Sequence, residues 1–129
     1  MADAKQSKVQ RPLSPHLTIY RPQYTSITSI FARITGVALL GAAFLVIWWF
    51  CAAATSPEYF AVANGFLTSW FGDLVMTAAL WAVCYHFLSG LRHLWWDTGR
   101  GLELSQAKTL AYGVVIGSFV LTALVVIAV

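Results

Sequence analysis

Three runs without a charged residue divide the chain: Ile34 to Ala54, Leu74 to Leu91 and Thr109 to Val129. Wound as α-helix, stretches of about 18 to 21 residues rise roughly 27 to 32 Å, against a bilayer hydrocarbon core of about 30 Å. Each run therefore predicts one crossing, with helices at about 29–54, 66–96 and 106–129. The fold class that follows is an all-α integral membrane protein with three transmembrane helices, residues 29–129 forming the membrane domain.

The polar segments mark the joints. Residues 1–28 carry Pro12, Pro15 and Pro22, whose fixed φ and missing N–H groups disfavour helix, so this stretch reads as an extended N-terminal arm along a surface. Thr25, Ser26, Thr28 and Ser29 offer N-cap hydroxyls to the first helix. Ser56, Pro57 and Glu58 mark a turn, Gly99 and Gly101 break the chain after the second run, and Ser105 or Gln106 leads into the third. Gly113 and Gly117 present a small-xxx-small face for close helix packing.

Composition agrees: the chain is 59% hydrophobic and 10% charged, with mean hydropathy +0.71, far from the roughly 25% charged of a soluble domain. Trp48, Trp49, Tyr59, Trp70, Trp95 and Trp96 lie at run ends, where amphipathic rings favour the headgroup layer or pack against a partner chain. All eight Lys and Arg fall into two groups, Lys5, Lys8, Arg11, Arg21 and Arg33, then Arg92, Arg100 and Lys108. One spanning pair separates the groups, so they share a side, and the positive-inside rule makes that side cytoplasmic. The basic pI therefore reports topology, and no nucleic-acid partner is expected. The polar N-terminus, with Asp3 and no apolar core, does not read as a secretory signal. Cys51 and Cys84 read as packing residues at depths too different for a disulfide.

Ionisable side chains at membrane depth demand a role, so His86, Arg33 and the Arg92, His93 and Asp97 group are the positions to explain. His86 lies six residues, roughly 9 Å, inside Arg92; spacing leaves it either a hydrogen-bonded core histidine or a haem ligand. Gly90, one turn on, leaves room beside the helix for a flat macrocycle or for another helix. His93 follows at i+7 on the same face, about 10 Å nearer the cytoplasm. Two axial imidazoles approach one iron from opposite faces, so one helix cannot supply both, and His16 in the arm is poorly placed. A haem at His86 thus implies a histidine on a partner chain. Ser29 and Arg33, at i and i+4, present a hydroxyl and a guanidinium together. They suit a carbonyl or carboxylate oxygen, or are a helix cap and a snorkelling arginine.

Two stretches resemble the cytochrome b (C) subunit family of succinate dehydrogenase: Arg11-Pro-Leu-Ser-Pro-His-Leu leading to Ser29-Ile-Phe-Ala-Arg33-Ile-Thr35, and His86-Phe-Leu-Ser-Gly-Leu-Arg-His-Leu-Trp-Trp-Asp-Thr-Gly99. The resemblance covers the whole chain in length, span count and motif order. It implies an anchor subunit, not an enzyme alone, forming half of a haem-containing helical bundle with a second membrane anchor subunit in the bacterial inner membrane. A flavoprotein subunit would oxidise succinate and an iron–sulfur subunit would pass electrons to ubiquinone. His86 matches the family's axial ligand to haem b. Ser29 and Arg33 match quinone-pocket positions, Arg33 and His93 match contacts to the haem propionates, and Asp97 matches the quinone-site border. The family commonly has His immediately before the arginine; Ala32 stands there instead. A structural anchor without haem, a bis-histidine cytochrome of a formate dehydrogenase or hydrogenase, and a small transporter subunit are the rival readings.

Overall fold

The computed structural model describes residues 19–129, so the arm's Lys5, Lys8, Arg11 and His16 lie outside the described residues. Four helices follow in order: α1 (Tyr24–Thr55), α2 (Pro57–Leu67), α3 (Trp70–Asp97) and α4 (Leu104–Ala128). Among the described residues there is no strand. Helices α1, α3 and α4 are each long and apolar enough to cross a membrane. Packing joins α3 to both α4 and α1, and α2 folds back on the far end of α1.

Helix α1 starts at Tyr24, ahead of the expected 29, so the expected arm of residues 1–28 gives up its last five residues to helix. None of the expected hydroxyl caps is used: Gln23 is the N-cap and no side chain caps it. The hydroxyls serve inside the helix instead. Thr28 Oγ1 donates to Thr25 O at 3.0 Å, and Thr28 O accepts from the Tyr85 hydroxyl of α3 at 2.8 Å. A tertiary bond to a buried tyrosine thus holds the added turn in place.

The second difference is α2, where only a turn was expected. Ser56 caps it by accepting from Tyr59 N at 3.2 Å, and Pro57 occupies the first turn, the position where proline's missing N–H is harmless. Glu58, outside the apolar spans, has its carboxyl held below the usual range, first by its own backbone N–H and then by the Ser56 hydroxyl. Trp48 Nε1 donates to Tyr59 Oη at 2.8 Å and Trp49 Nε1 to Asn64 Oδ1 at 3.2 Å, fastening α2 to α1. Two of the expected interfacial anchors are therefore also internal ties. Ser69 then starts α3 at Trp70, beyond the expected 66, by capping Gly72 N at 3.1 Å. Only glycine fits at 72, because a Cβ there would strike the carbonyl oxygens of Phe66 and Leu67.

After α3, Gly99 and Gly101 both adopt φ of 76°, the left-handed region open to glycine. Trp96 Nε1 donates to Gly101 O at 3.0 Å and pins the loop. The interior between α3 and α4 is built of small residues, with Ala82, Ala111 and Ser118 buried. At Gly117 a Cβ would come within 3.0 Å of Leu88 Cδ1, whereas Gly113 has nothing within 4 Å. Close approach of backbones through small residues is how membrane helices pack when hydrophobic burial gives no drive. Both cysteines are free, Cys51 exposed and Cys84 buried. In the most apolar window of α1 only 6% of residues are buried in the chain, so lipid or another protein must cover the rest.

Candidate functional site, a histidine-lined groove

Helical spacing assembles the site from two faces. Along α1, Ser29, Ala32, Arg33, Gly36, Val37 and Leu40 recur at intervals of three and four; along α3, His86, Ser89, Gly90 and His93 do the same. These faces line one open cavity of about 630 Å³. Four of the five residues singled out by sequence, Ser29, Arg33, His86 and His93, converge there. Asp97 is the last residue of α3, one turn beyond His93, and lies exposed outside the groove lining. A larger cavity of about 850 Å³ sits under the α3–α4 loop, but loop residues with Arg100 and Glu103 line it, and no histidine does.

His86 faces the groove and is exposed in this chain. Its Nδ1 lies 3.0 Å from Ala32 O. A carbonyl only accepts, so Nδ1 carries the hydrogen, and in the neutral ring Nε2 keeps its lone pair. This is the tautomer that metal-ligating histidines adopt, with the second nitrogen fixed by a backbone carbonyl. Gly36 is why the ring fits: a Cβ there would lie 3.0 Å from His86 Cε1 and 3.4 Å from Nδ1. One turn along α3, Gly90 has nothing within 4 Å of a would-be Cβ, leaving open space beside the imidazole. His93 repeats the arrangement nearer the helix end, with Nδ1 2.6 Å from Ser89 O and its ring against Trp96, centroids 5.3 Å apart.

The residues fit a haem. A porphyrin supplies four nitrogens of its own, so one free imidazole nitrogen per face suffices, consistent with the lack, among the described residues, of any cluster of three His, Cys, Asp or Glu. Arg33 lines the groove wall, makes no ion pair or hydrogen bond among the described residues, and is free to pair with an acceptor oxygen. Sequence reasoning marked Ala32 only as a departure from the family pattern and did not select Gly36 or Ser89; their register with Arg33 and His86 at intervals of three and four was the signal. Nor did it foresee that Arg92 is buried, 3% exposed, with Nη1 3.1 Å from Thr28 Oγ1 and Nη2 3.4 Å from Ser89 Oγ.

Fold and groove together define a multi-pass membrane protein with a histidine-bearing cleft open on one side. A family model described as succinate dehydrogenase/fumarate reductase transmembrane subunit matches residues 7–125, and the chain belongs to that family. It is 47% identical over 127 residues to the succinate dehydrogenase cytochrome b556 subunit of Paracoccus denitrificans, covering 98% of this chain and 96% of the relative. The corresponding subunit of Rickettsia conorii is 38% identical, with 89% and 90% covered. The cytochrome b560 subunit of Marchantia polymorpha is 44% identical, with 79% and 78% covered.

Proposed function

We propose that this chain is the membrane-anchoring cytochrome b subunit of a succinate:ubiquinone oxidoreductase, lying in a bacterial inner membrane with its N-terminus in the cytoplasm. The observation that carries the reading is His86: exposed in an open groove, with Nδ1 fixed on Ala32 O and Nε2 free. A second anchor subunit would close the groove and supply a second histidine to the haem. Haem b, when bound, supplies a one-electron redox centre inside the membrane.

The chain's own residues do the rest. His86 offers Nε2 to the iron, while Gly36 and Gly90 keep the wall flat. Arg33 and His93 stand toward the cytoplasmic end, where they hold propionate charge. Ser29 and Arg33 take the quinone oxygen: succinate oxidation to fumarate releases two electrons and two protons, and ubiquinone takes up both pairs to become ubiquinol. Arg33 stabilises the negative charge that develops on that oxygen in a partly dry site, and Asp97 borders the pocket. The flavoprotein and iron–sulfur subunits dock on this cytoplasmic side.

Two substitutions in the purified complex test the assignment. His86→Ala should abolish the b-type Soret band; an unchanged band rejects ligation. Arg33→Ala should slow quinone reduction about 10- to 150-fold, the worth of roughly 1.5 to 3 kcal/mol for a hydrogen bond to a charged group. Succinate oxidation by an artificial acceptor should stay intact, and loss of both activities would sink the quinone role.

A further inference from the structure

Among the described residues Arg92 is the one buried charge, and the groove residues give it no use. It is 3% exposed, its guanidinium carbon lies 4.8 Å from the centroid of the Trp96 ring, and its Nε has no hydrogen-bond partner. Among the described residues no carboxylate pairs with it. Its two hydrogen bonds go to neutral hydroxyls, Thr28 Oγ1 on α1 and Ser89 Oγ on α3. Holding α1 to α3 does not require a cation: Tyr85, two turns deeper, makes that tie with a phenol, donating to Thr28 O at 2.8 Å. A buried cation without a counter-ion is costly, so the charge itself must serve some purpose.

Its position supplies one. Ser89 both lines the groove and accepts from Arg92, and the Ser89 carbonyl also fixes His93. Thr28, the other acceptor, is the chain neighbour of Ser29. The guanidinium therefore stands directly behind the groove wall, clamped on both sides and shielded from water. A fixed cation near a redox centre in a low-dielectric site favours the form carrying one more electron.

Building on the haem reading, we infer that Arg92 is a positioning residue that holds a fixed positive charge behind the groove and raises the midpoint potential of the haem bound there. The test is potentiometric titration of the b-type absorption band in the purified complex. Arg92→Met should shift the midpoint to lower potential, and Arg92→Lys, which keeps the charge but not the fork, should stay at the wild-type value. An unshifted Arg92→Met, or an Arg92→Lys shifted as far as Arg92→Met, overturns the inference. If Arg92→Met assembles without haem, an Arg92→Lys complex holding haem at the wild-type potential supports it. Haem loss in both variants overturns it and leaves Arg92 a packing residue. A Soret band surviving His86→Ala refutes the ligation reading instead, and the two failures stay separate.

Discussion

Gly90→Leu separates a groove that is open space from one that holds a flat ring. Nothing lies within 4 Å of a Cβ built at Gly90, so the first added carbon meets no atom of this chain and the rest of the side chain extends into the groove. Leucine is also the better helix former, by somewhat less than the roughly 0.8 to 1 kcal/mol that separates glycine from alanine. For the chain alone the substitution should be neutral or stabilising by less than about 1 kcal/mol. With a macrocycle anchored at His86 the sign reverses. Gly90 sits one turn, about 6 Å, along α3 from His86, and both line the same cavity. Forcing a branched side chain into filled space typically costs about 1 to 3 kcal/mol, which weakens haem binding roughly five- to 150-fold.

The assay is the haem-to-flavin ratio of the purified complex, from Soret and flavin absorbance at limiting haem supply, alongside thermal unfolding in detergent. Gly113→Leu is the control: Gly113 also has nothing within 4 Å of a Cβ but sits on α4, outside the groove. It gains the same helix propensity and should keep its haem. Equal haem-to-flavin ratios in wild type and both variants would refute the claim that the space beside Gly90 is the macrocycle's.

Three further outcomes follow from single contacts. Gly36→Ala places a methyl 3.0 Å from His86 Cε1, so the ring must tilt and strain its bond to Ala32 O; electron paramagnetic resonance of the oxidised haem should show altered axial-ligand geometry, and an unchanged spectrum would reject Gly36 as the residue that seats the ring. Gly117→Leu drives its first carbon to 3.0 Å from Leu88 Cδ1, and overpacking there should lower stability by about 1 to 3 kcal/mol, read as a lower Tm in detergent. Glu58, depressed by its own backbone N–H and by Ser56, stabilises the α2 start fully above its unfolded pKa and loses that contribution as pH falls through the lower folded value. Glu58→Gln should remove this acid-side dependence from amide exchange in α2, and an identical pH profile would contradict it.

How much was legible in the chain depends on what each feature had to compete with. The three crossings stood out because a water-soluble fold has almost no use for charge-free runs near bilayer length. Their ends were harder to place. Ser56-Pro57-Glu58 is a helix start as much as a turn, with a hydroxyl cap, a proline at the first position and an acid in the first turn, and the 11 residues of α2 were too few to stand out beside the long runs. The start of α1 was hidden by distance along the chain. Tyr24 to Thr28 are helical through a bond from Tyr85, 57 residues away, and hydroxyls near a helix start read as caps when no distant partner is known.

Arg92 marks where charge counting stops. In the sequence it is one of three cations after the second run and an ionisable group at membrane depth to be explained, but the positive-inside rule does not ask which way it points. The rule treats all eight basic residues alike. Burial then divides them: Arg33 lines the groove and is exposed, Arg100 lies over Trp95 at 5.9 Å in the loop, and Arg92 is enclosed with its Nε unsatisfied. An orientation signal needs only to sit near the cytoplasmic surface, where solvation is cheap. A guanidinium that gives up that solvation to stand between Thr28 and Ser89 does something topology does not require, and the groove on the other side of Ser89 is the nearest place for its field to act.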